Sequence, residues 1–151
     1  EIQQGLELLH NEARNFPHRH RDINFVFDAT WNRLEDKQQK IFANLTVFRG
    51  DFTRKSARQV AGADLDLLAK LESKALIRYE RGADRYKIHP SLRQYAAERL
   101  SQRAKQALDI RQRHSQYFCK LLHDWEAGLK GPNQKFTLNQ MEIERANFQV
   151  A

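Results

Sequence analysis

Ile23, Val26, Phe27, Thr30, Trp31 and Leu34 fall along one face of a helix, the strongest amphipathic pattern in the chain, with Asp22 placed to cap it. Upstream, Ile2, Leu6, Leu9 and Ala13 keep the same period until Phe16-Pro17, where the residue before proline is driven out of the helical region. Downstream, Ile41, Phe42, Leu45 and Phe48 give the buried stripe of a helix that Glu35 and Asp36 open and Gly50 breaks. Thr53 is expected to cap a short helix carrying Ala57, Val60 and Ala61, closed by Gly62. Asp64 is expected to cap the next, with Leu65, Leu68, Leu71 and Leu76 pointing inward. At Leu76 the period changes. Leu76, Ile77 and Tyr79 form a strand, the turn follows at Arg81-Gly82-Ala83-Asp84, and Tyr86 and Ile88 alternate with Arg85 and Lys87 in a half-buried return strand. A one-residue slip would expose the apolar set, so Leu76, Ile77, Tyr86 and Ile88 should face the core, with Arg85 and Lys87 in solvent.

Pro90 opens the next helix at a position that needs no amide hydrogen, and Leu92, Tyr95, Ala96 and Leu100 form its inner face. A longer helix is expected from about Ala104 to Trp125, with Ala104, Ala107, Leu108, Arg111, His114 and Phe118 keeping the period and Leu121, Leu122 and Trp125 continuing it. Gly128, Gly131 and Pro132 end it. Phe136 to Ala151, with Leu138, Met141 and Phe148 near one face, should pair antiparallel with it, as the first unit of a helical repeat array would. The fold class is therefore mainly α. Three helices followed by a hairpin make a winged helix, with the hairpin as the wing and the helix from Asp64 in the recognition position, flanked by further helices. The domain reading is 1–17 as the end of a preceding helical domain, 18–102 as the winged helix and 103–151 as the start of the repeat region.

Composition sharpens this only a little. The 151 residues, 40% of them hydrophobic, suffice for one modest core or two small ones. A net charge of +7 suits attraction to a polyanion or an acidic surface, but the cations are unevenly placed. The helix from Asp64 to Lys74 carries Asp64, Asp66 and Glu72 against Lys70 and Lys74, so the segment that would enter a DNA groove is net acidic. Arginines and lysines gather instead on the linker, around the short helix, on the wing and along the helices after Pro90. Any DNA binding should therefore be weak, sequence-independent and steeply reduced by salt. Cys119 is the single cysteine, which excludes an intramolecular disulfide, points to a reducing, cytoplasmic setting and, beside Phe118, reads as a small core hydrophobe. No apolar run approaches membrane-spanning length. The chain starts at Glu1 and stops within a helical pattern, as a piece of something larger would.

Catalytic chemistry has little to stand on. The sequence lacks a GxxxxGK[ST] phosphate loop, a GxGxxG turn, a GxSxG elbow and a cysteine pair for zinc. His10, His18, His20, His89, His114 and His123 are scattered, and His18 and His20 flank a cation that opposes metal binding. Glu142 and Glu144 lie two apart on a helix and do not face each other. The expectation is a non-enzyme with no catalytic residue, no metal site and no cofactor of its own.

The order of these pieces resembles a known architecture. The segments NFPHRHRDINFVFDATWNRLEDKQQKIFANLTVFRGDFTRKSARQVAG, LLAKLESKALIRYERGADRYKIHPSLRQYAAERL and RHSQYFCKLL, with LNQMEIERANFQVA, resemble the region that follows the nucleotide-binding module in bacterial STAND-class signalling ATPases, relatives of the NB-ARC regulators. The likeness runs from about Phe16 to Ala151 and is carried most specifically by LTVFRGDFT and IHPSLRQYAAERL. It implies a winged helix and the start of a tetratricopeptide-like (TPR-like) sensor array, lying between an upstream nucleotide-binding domain and downstream repeats. It also implies that His89 stands where that family's methionine-histidine-aspartate motif approaches the β-phosphate of ADP, with ADP or ATP bound by the parent protein. Ile88 replaces the methionine and Pro90 the aspartate, and the plain alternative is that His89 only ends the wing and caps the helix. Pro17, Arg19 and His20 resemble the family's linker into the winged helix. Two other functions stay open beside this coupling role: a DNA-binding winged helix of a transcription factor, and a structural protein-interaction module.

Overall fold

A computed structural model describes residues 27–151. Residues 27–35 belong to one compact unit and Asp36–Ala151 form another. The expected helix from Ile2, the proline stop, the Asp22 cap and the linker residues Pro17, Arg19 and His20, with His10 and His18, lie outside the described residues. In the first unit residues 27–32 are helical and Trp31 and Leu34 are buried, as the spacing required.

The larger unit is mainly helical with a small antiparallel hairpin. Its elements are α1 (Asp36–Leu45); α2, an α-helical turn over Arg54–Ser56 that widens into a π-helical turn over Ala57–Ala61; α3 (Leu65–Ser73); β1 (Arg78–Glu80); β2 (Arg85–Lys87); α4 (Pro90–Ser101); α5 (Ala104–Leu129); and α6 (Gln134–Phe148). Local chemistry explains most boundaries. Thr53 and Ser56 form a reciprocal capping box at the start of α2. Gly62, at φ 74°, supplies the left-handed residue that ends α2 and lets its amide reach back to the carbonyls of Ala57 and Arg58. Asp64 Oδ1 accepts the Leu67 amide at 2.8 Å and starts α3.

The core of this unit is continuous. Ile41, Phe42 and Leu45 of α1 are buried, as are Val60 of α2, Leu67, Leu68 and Leu71 of α3, and Tyr95 and Leu100 of α4. Leu76, Ile77, Tyr86 and Ile88 are buried as the hairpin pattern required. Aromatic rings then run from the hairpin into the last helices. Tyr79 meets Tyr86 at 4.9 Å between centroids, Tyr86 stacks on Phe52 at 5.8 Å and Phe52 on Phe48 at 5.0 Å. Phe48 meets Phe118 edge-on at 6.3 Å, and Phe118 meets Phe148 at 5.4 Å. α5 and α6 pack closely, since a Cβ on Gly128 would lie 2.5 Å from Thr137 Oγ1; only glycine fits there.

Several inward assignments are corrected. Leu65 is exposed and Leu67 takes its place: Asp64 caps α3 as expected, but the buried arc is formed by Leu67, Leu68 and Leu71, and Leu65 in the first turn lies outside it. On α5, Leu108 and Arg111 are exposed and Ile110 is buried. Cys119, expected in the core, is exposed, next to the buried Phe118 but off the face that α6 and α2 cover. α6 is the largest departure: it buries Thr137, Glu144 and Asn147 and leaves Phe136 and Leu138 exposed.

Candidate functional site

The hairpin pairs Arg78 with Lys87, Tyr79 with Tyr86 and Glu80 with Arg85. Its turn owes its left-handed residue to Asp84, at φ 52°, and Gly82 needs no special conformation. The Tyr79 hydroxyl donates to Asp84 Oδ1 at 2.5 Å, which pins the turn and holds the phenol above its ordinary pKa. The segment before α2 adds a third edge: Phe52 and Tyr86 exchange both backbone hydrogen bonds, at 3.1 and 2.8 Å. The hairpin is therefore pinned on its second strand.

Arg85 carries the main correction to the expected wing. The alternation placed it with Lys87 in solvent, and Lys87 is indeed exposed, its Nζ 3.5 Å from Asp51 Oδ2. Arg85 is buried. Both side chains stand on one strand face, but α6 covers only the Arg85 end of it. Arg85 Nη2 lies 2.6 Å from Glu144 Oε1 and donates to the Asp51 carbonyl at 2.7 Å. Asn147 completes the seam. Its Nδ2 donates to Glu144 Oε2 at 2.8 Å and to the Asp51 carbonyl at 3.0 Å, and its Oδ1 accepts the Gly50 amide at 3.0 Å. Away from water such charge-assisted bonds are strong, and each group depends on the others to remain satisfied. Hydropathy hid this cluster, because Arg85 reads as an outward strand residue and Glu144 and Asn147 as solvent-facing helix residues; no local pattern pairs them.

His89 ends the hairpin and caps α4, with φ −59° and ψ 137°. Its Nδ1 accepts the Ser91 amide at 3.3 Å, and the ring is exposed. It lines a surface cavity of about 610 Å³ with Glu72, Ile77, Glu80, Lys87 and Pro90. The two carboxylates there oppose an anion, while Arg78, Lys87 and the positive end of the α4 dipole favour one.

His114 lies on the far side of the core, fully buried, with ring centroids 5.4 Å from Phe48 and 4.6 Å from Phe118. Neither ring nitrogen has a hydrogen-bond partner. Burial pushes its pKa down to about 4, so it is neutral at physiological pH. Among the described residues no three histidine, cysteine or carboxylate side chains gather as a metal site would require. On α3 the cations are engaged: Lys70 Nζ lies 2.7 Å from Asp66, and Lys74 Nζ donates to Gln38 at 2.9 Å.

Comparison with known proteins adds a distant likeness. One protein of Mycobacterium bovis and two from strains of Mycobacterium tuberculosis are each 29% identical to the chain over 164 aligned residues that cover all of it. Each carries the provisional name of an HTH-type transcriptional regulator. The chain spans 18% of the length of these relatives. No family model and no solved structure matches it. No helix among the described residues is long and apolar enough to cross a membrane.

Proposed function

We propose that this chain is a winged-helix segment of a transcriptional regulator and that it works in cis, passing the state of a neighbouring domain to the helices that follow it. The order α1, α2, α3, hairpin supports the winged helix, and the names of the relatives support the regulator. The observation that carries the cis role is the seam at Arg85: the wing's buried cation is spent on Glu144 of α6, so a movement of the hairpin must either carry α6 with it or break that pair. α3 agrees, since its lysines are paired and its exposed face carries Asp66, Glu72 and the apolar Leu65.

In its most specific form the reading places the segment between the nucleotide-binding domain of a STAND-class ATPase upstream and a TPR-like array downstream, in the cytoplasm. His89 is then the candidate contact for the β-phosphate of ADP, and α5–α6 the first unit of the array. The segment itself would be no enzyme, since the phosphate loop and magnesium-binding acid of ATP hydrolysis have no counterpart in its sequence.

The relatives' names favour a second reading more directly: a winged helix that itself binds DNA. Arg54, Lys55 and Arg58 on α2, with Arg81 on the hairpin, are exposed and available to phosphates, whereas Arg78 is paired with Glu80 at 3.0 Å. Titrating the chain with random and genomic duplexes at several salt concentrations separates the two. The cis reading expects weak, sequence-independent binding that salt abolishes. Tight binding to one sequence at physiological salt would establish direct DNA recognition in its place.

A further inference from the structure

Several cations of the larger unit have a carboxylate partner. Lys70 pairs with Asp66, Arg85 with Glu144, Lys87 with Asp51, Arg113 with Asp109, Lys130 with Glu126 and Arg145 with Glu142. Arg49, Arg93 and Arg111 do not, and these three line one cavity of about 670 Å³. They reach it from three directions: Arg49 from the α1–α2 connection, Arg93 from the first turn of α4 and Arg111 from α5. Arg93 is fixed in place, its Nη1 donating to the Arg49 carbonyl at 2.5 Å. Its Nε is closed off from water and has no acceptor. Burial, with Arg49 adding to it, lowers the Arg93 pKa, while Asp51 works in the other direction; an anion nearby would relieve the same strain.

Glu98 is the one carboxylate on the cavity wall, so three cations face one anion. Val47, Leu100, Ala107 and Val150 give the wall an apolar part, and Gln94 and Ser101 add neutral hydrogen-bonding groups. We propose that this cavity binds a small organic phosphate carrying at least two negative charges, with the guanidinium groups of Arg49, Arg93 and Arg111 on its phosphate oxygens and the apolar wall against its carbon skeleton. Planar guanidinium forks match phosphate oxygens in pairs, which lysines at these positions would not do. The site is separate from the His89 cavity, with which it shares Pro90 in its wall, and does not depend on the function proposed above.

Inorganic pyrophosphate is the probe, titrated by calorimetry into the 151-residue chain at low salt, with citrate as a carboxylate control and a short DNA duplex as a polyanion control. One-to-one saturable binding of pyrophosphate is expected, weakened about tenfold in R111Q, which removes an exposed side chain with no internal bond, and by at least as much in R93Q. E98Q should tighten binding several-fold, an effect that mere structural damage would not produce, while K120Q, on an exposed part of α5 outside the cavity, leaves it unchanged. Thermal melting of each variant shows that it is folded. Absence of saturable pyrophosphate binding, or equal affinity in R111Q and K120Q, would overturn the assignment. Tighter binding of citrate would move it to polycarboxylates, and binding of the duplex alone would hand the surface to nucleic acid; both results reject the site as proposed.

Discussion

α3 and α6 are both amphipathic helices docked on the same unit, yet they reach it by opposite means. α3 buries Leu67, Leu68 and Leu71; α6 buries Thr137, Glu144 and Asn147 and turns Phe136 and Leu138 outward. Burying leucine is favourable in many orientations, because the hydrophobic effect has no direction. Burying a carboxylate and an amide is favourable only where partners meet them, and here Arg85, the Asp51 carbonyl and the Gly50 amide do so. α3 is therefore held by quantity of contact and α6 by geometry of contact. The helix facing the hairpin is the one whose seat is defined by direction, as the proposed cis role would need.

Breaking the Arg85–Glu144 pair should show the difference most strongly. Glu144→Ala leaves a buried guanidinium with only the Asp51 carbonyl, and urea unfolding should find a loss of about 3–5 kcal/mol. The double variant R85M/E144L removes both charges, and most of that stability should return, because two apolar groups in the same space need no partners. Leu71→Ala on α3 costs about as much, 2–5 kcal/mol, through the cavity it leaves. No partner substitution should rescue it. A cost below about 1 kcal/mol for Glu144→Ala would mean that α6 is held by its apolar contacts after all.

The buried histidine of α5 supplies the next test. His114 is neutral when folded, with a pKa near 4, whereas in the unfolded chain it titrates near the ordinary 6.5. Below 6.5 the unfolded state takes up a proton that the folded state refuses. The stability His114 leaves intact at neutral pH is therefore lost progressively as pH falls from about 6.5 to 4, by on the order of 3 kcal/mol at the bottom of that range. His114→Phe, placing a ring without polar atoms between Phe48 and Phe118, should flatten this part of the curve. Unfolding midpoints from pH 7 to pH 4 for both proteins decide it; parallel curves would show that His114 is protonated in the folded state.

Asn147 sits at the crossing of the seam, and its amide serves three groups at once. Asn147→Ala should cost about 2 kcal/mol, since the Gly50 amide loses its acceptor in a part-buried place. Hydrogen exchange at Gly50 should quicken in that variant, while exchange in α3 stays slow. Equal acceleration in both would make the unit one cooperative block and erase the distinction between its helices.

These contrasts follow what the sequence made legible. α2, α3 and the start of α4 were readable because capping residue and breaker agree there: Thr53, Gly62, Asp64 and Pro90 all serve as their chemistry suggests, whereas α1 ends at Leu45, ahead of the Gly50 expected to break it. The apolar face of α6 was misread for a physical reason. Hydropathy assigns leucine and phenylalanine inward and glutamate outward, and it cannot see that Arg85 waits across a long chain separation to receive Glu144. Arg85 misled for the same reason: a strand pattern gives the face of a residue, not what covers it. His89 was legible as the end of the hairpin and the start of α4.

The smallest expected effect separates the same two helices at their first turns. Asp64 accepts the Leu67 amide at 2.8 Å, so one of the unpaired donors at the start of α3 is satisfied by a side chain. Asn133, at the corresponding place before α6, makes no capping bond and holds a backbone geometry of φ −91° and ψ 10° instead of the extended one a cap adopts. Asp64→Ala should therefore lower stability by about 1 kcal/mol, and Asn133→Ala by no more than a few tenths, although asparagine and aspartate are about equally good caps by residue type. Lys37 lies 3.9 Å from Asp64 Oδ2, but both side chains are largely exposed, so the lost pair adds little to the first figure. Asp64→Asn distinguishes the cap from the charge: it keeps an acceptor for the Leu67 amide and should retain most of the stability. Matched urea titrations of the three variants would show α3 set at its start by one side chain and α6 set later along its length, at Glu144 and Asn147. If Asn133→Ala proves as costly as Asp64→Ala, α6 is fixed from its first turn and the seam is not what seats it.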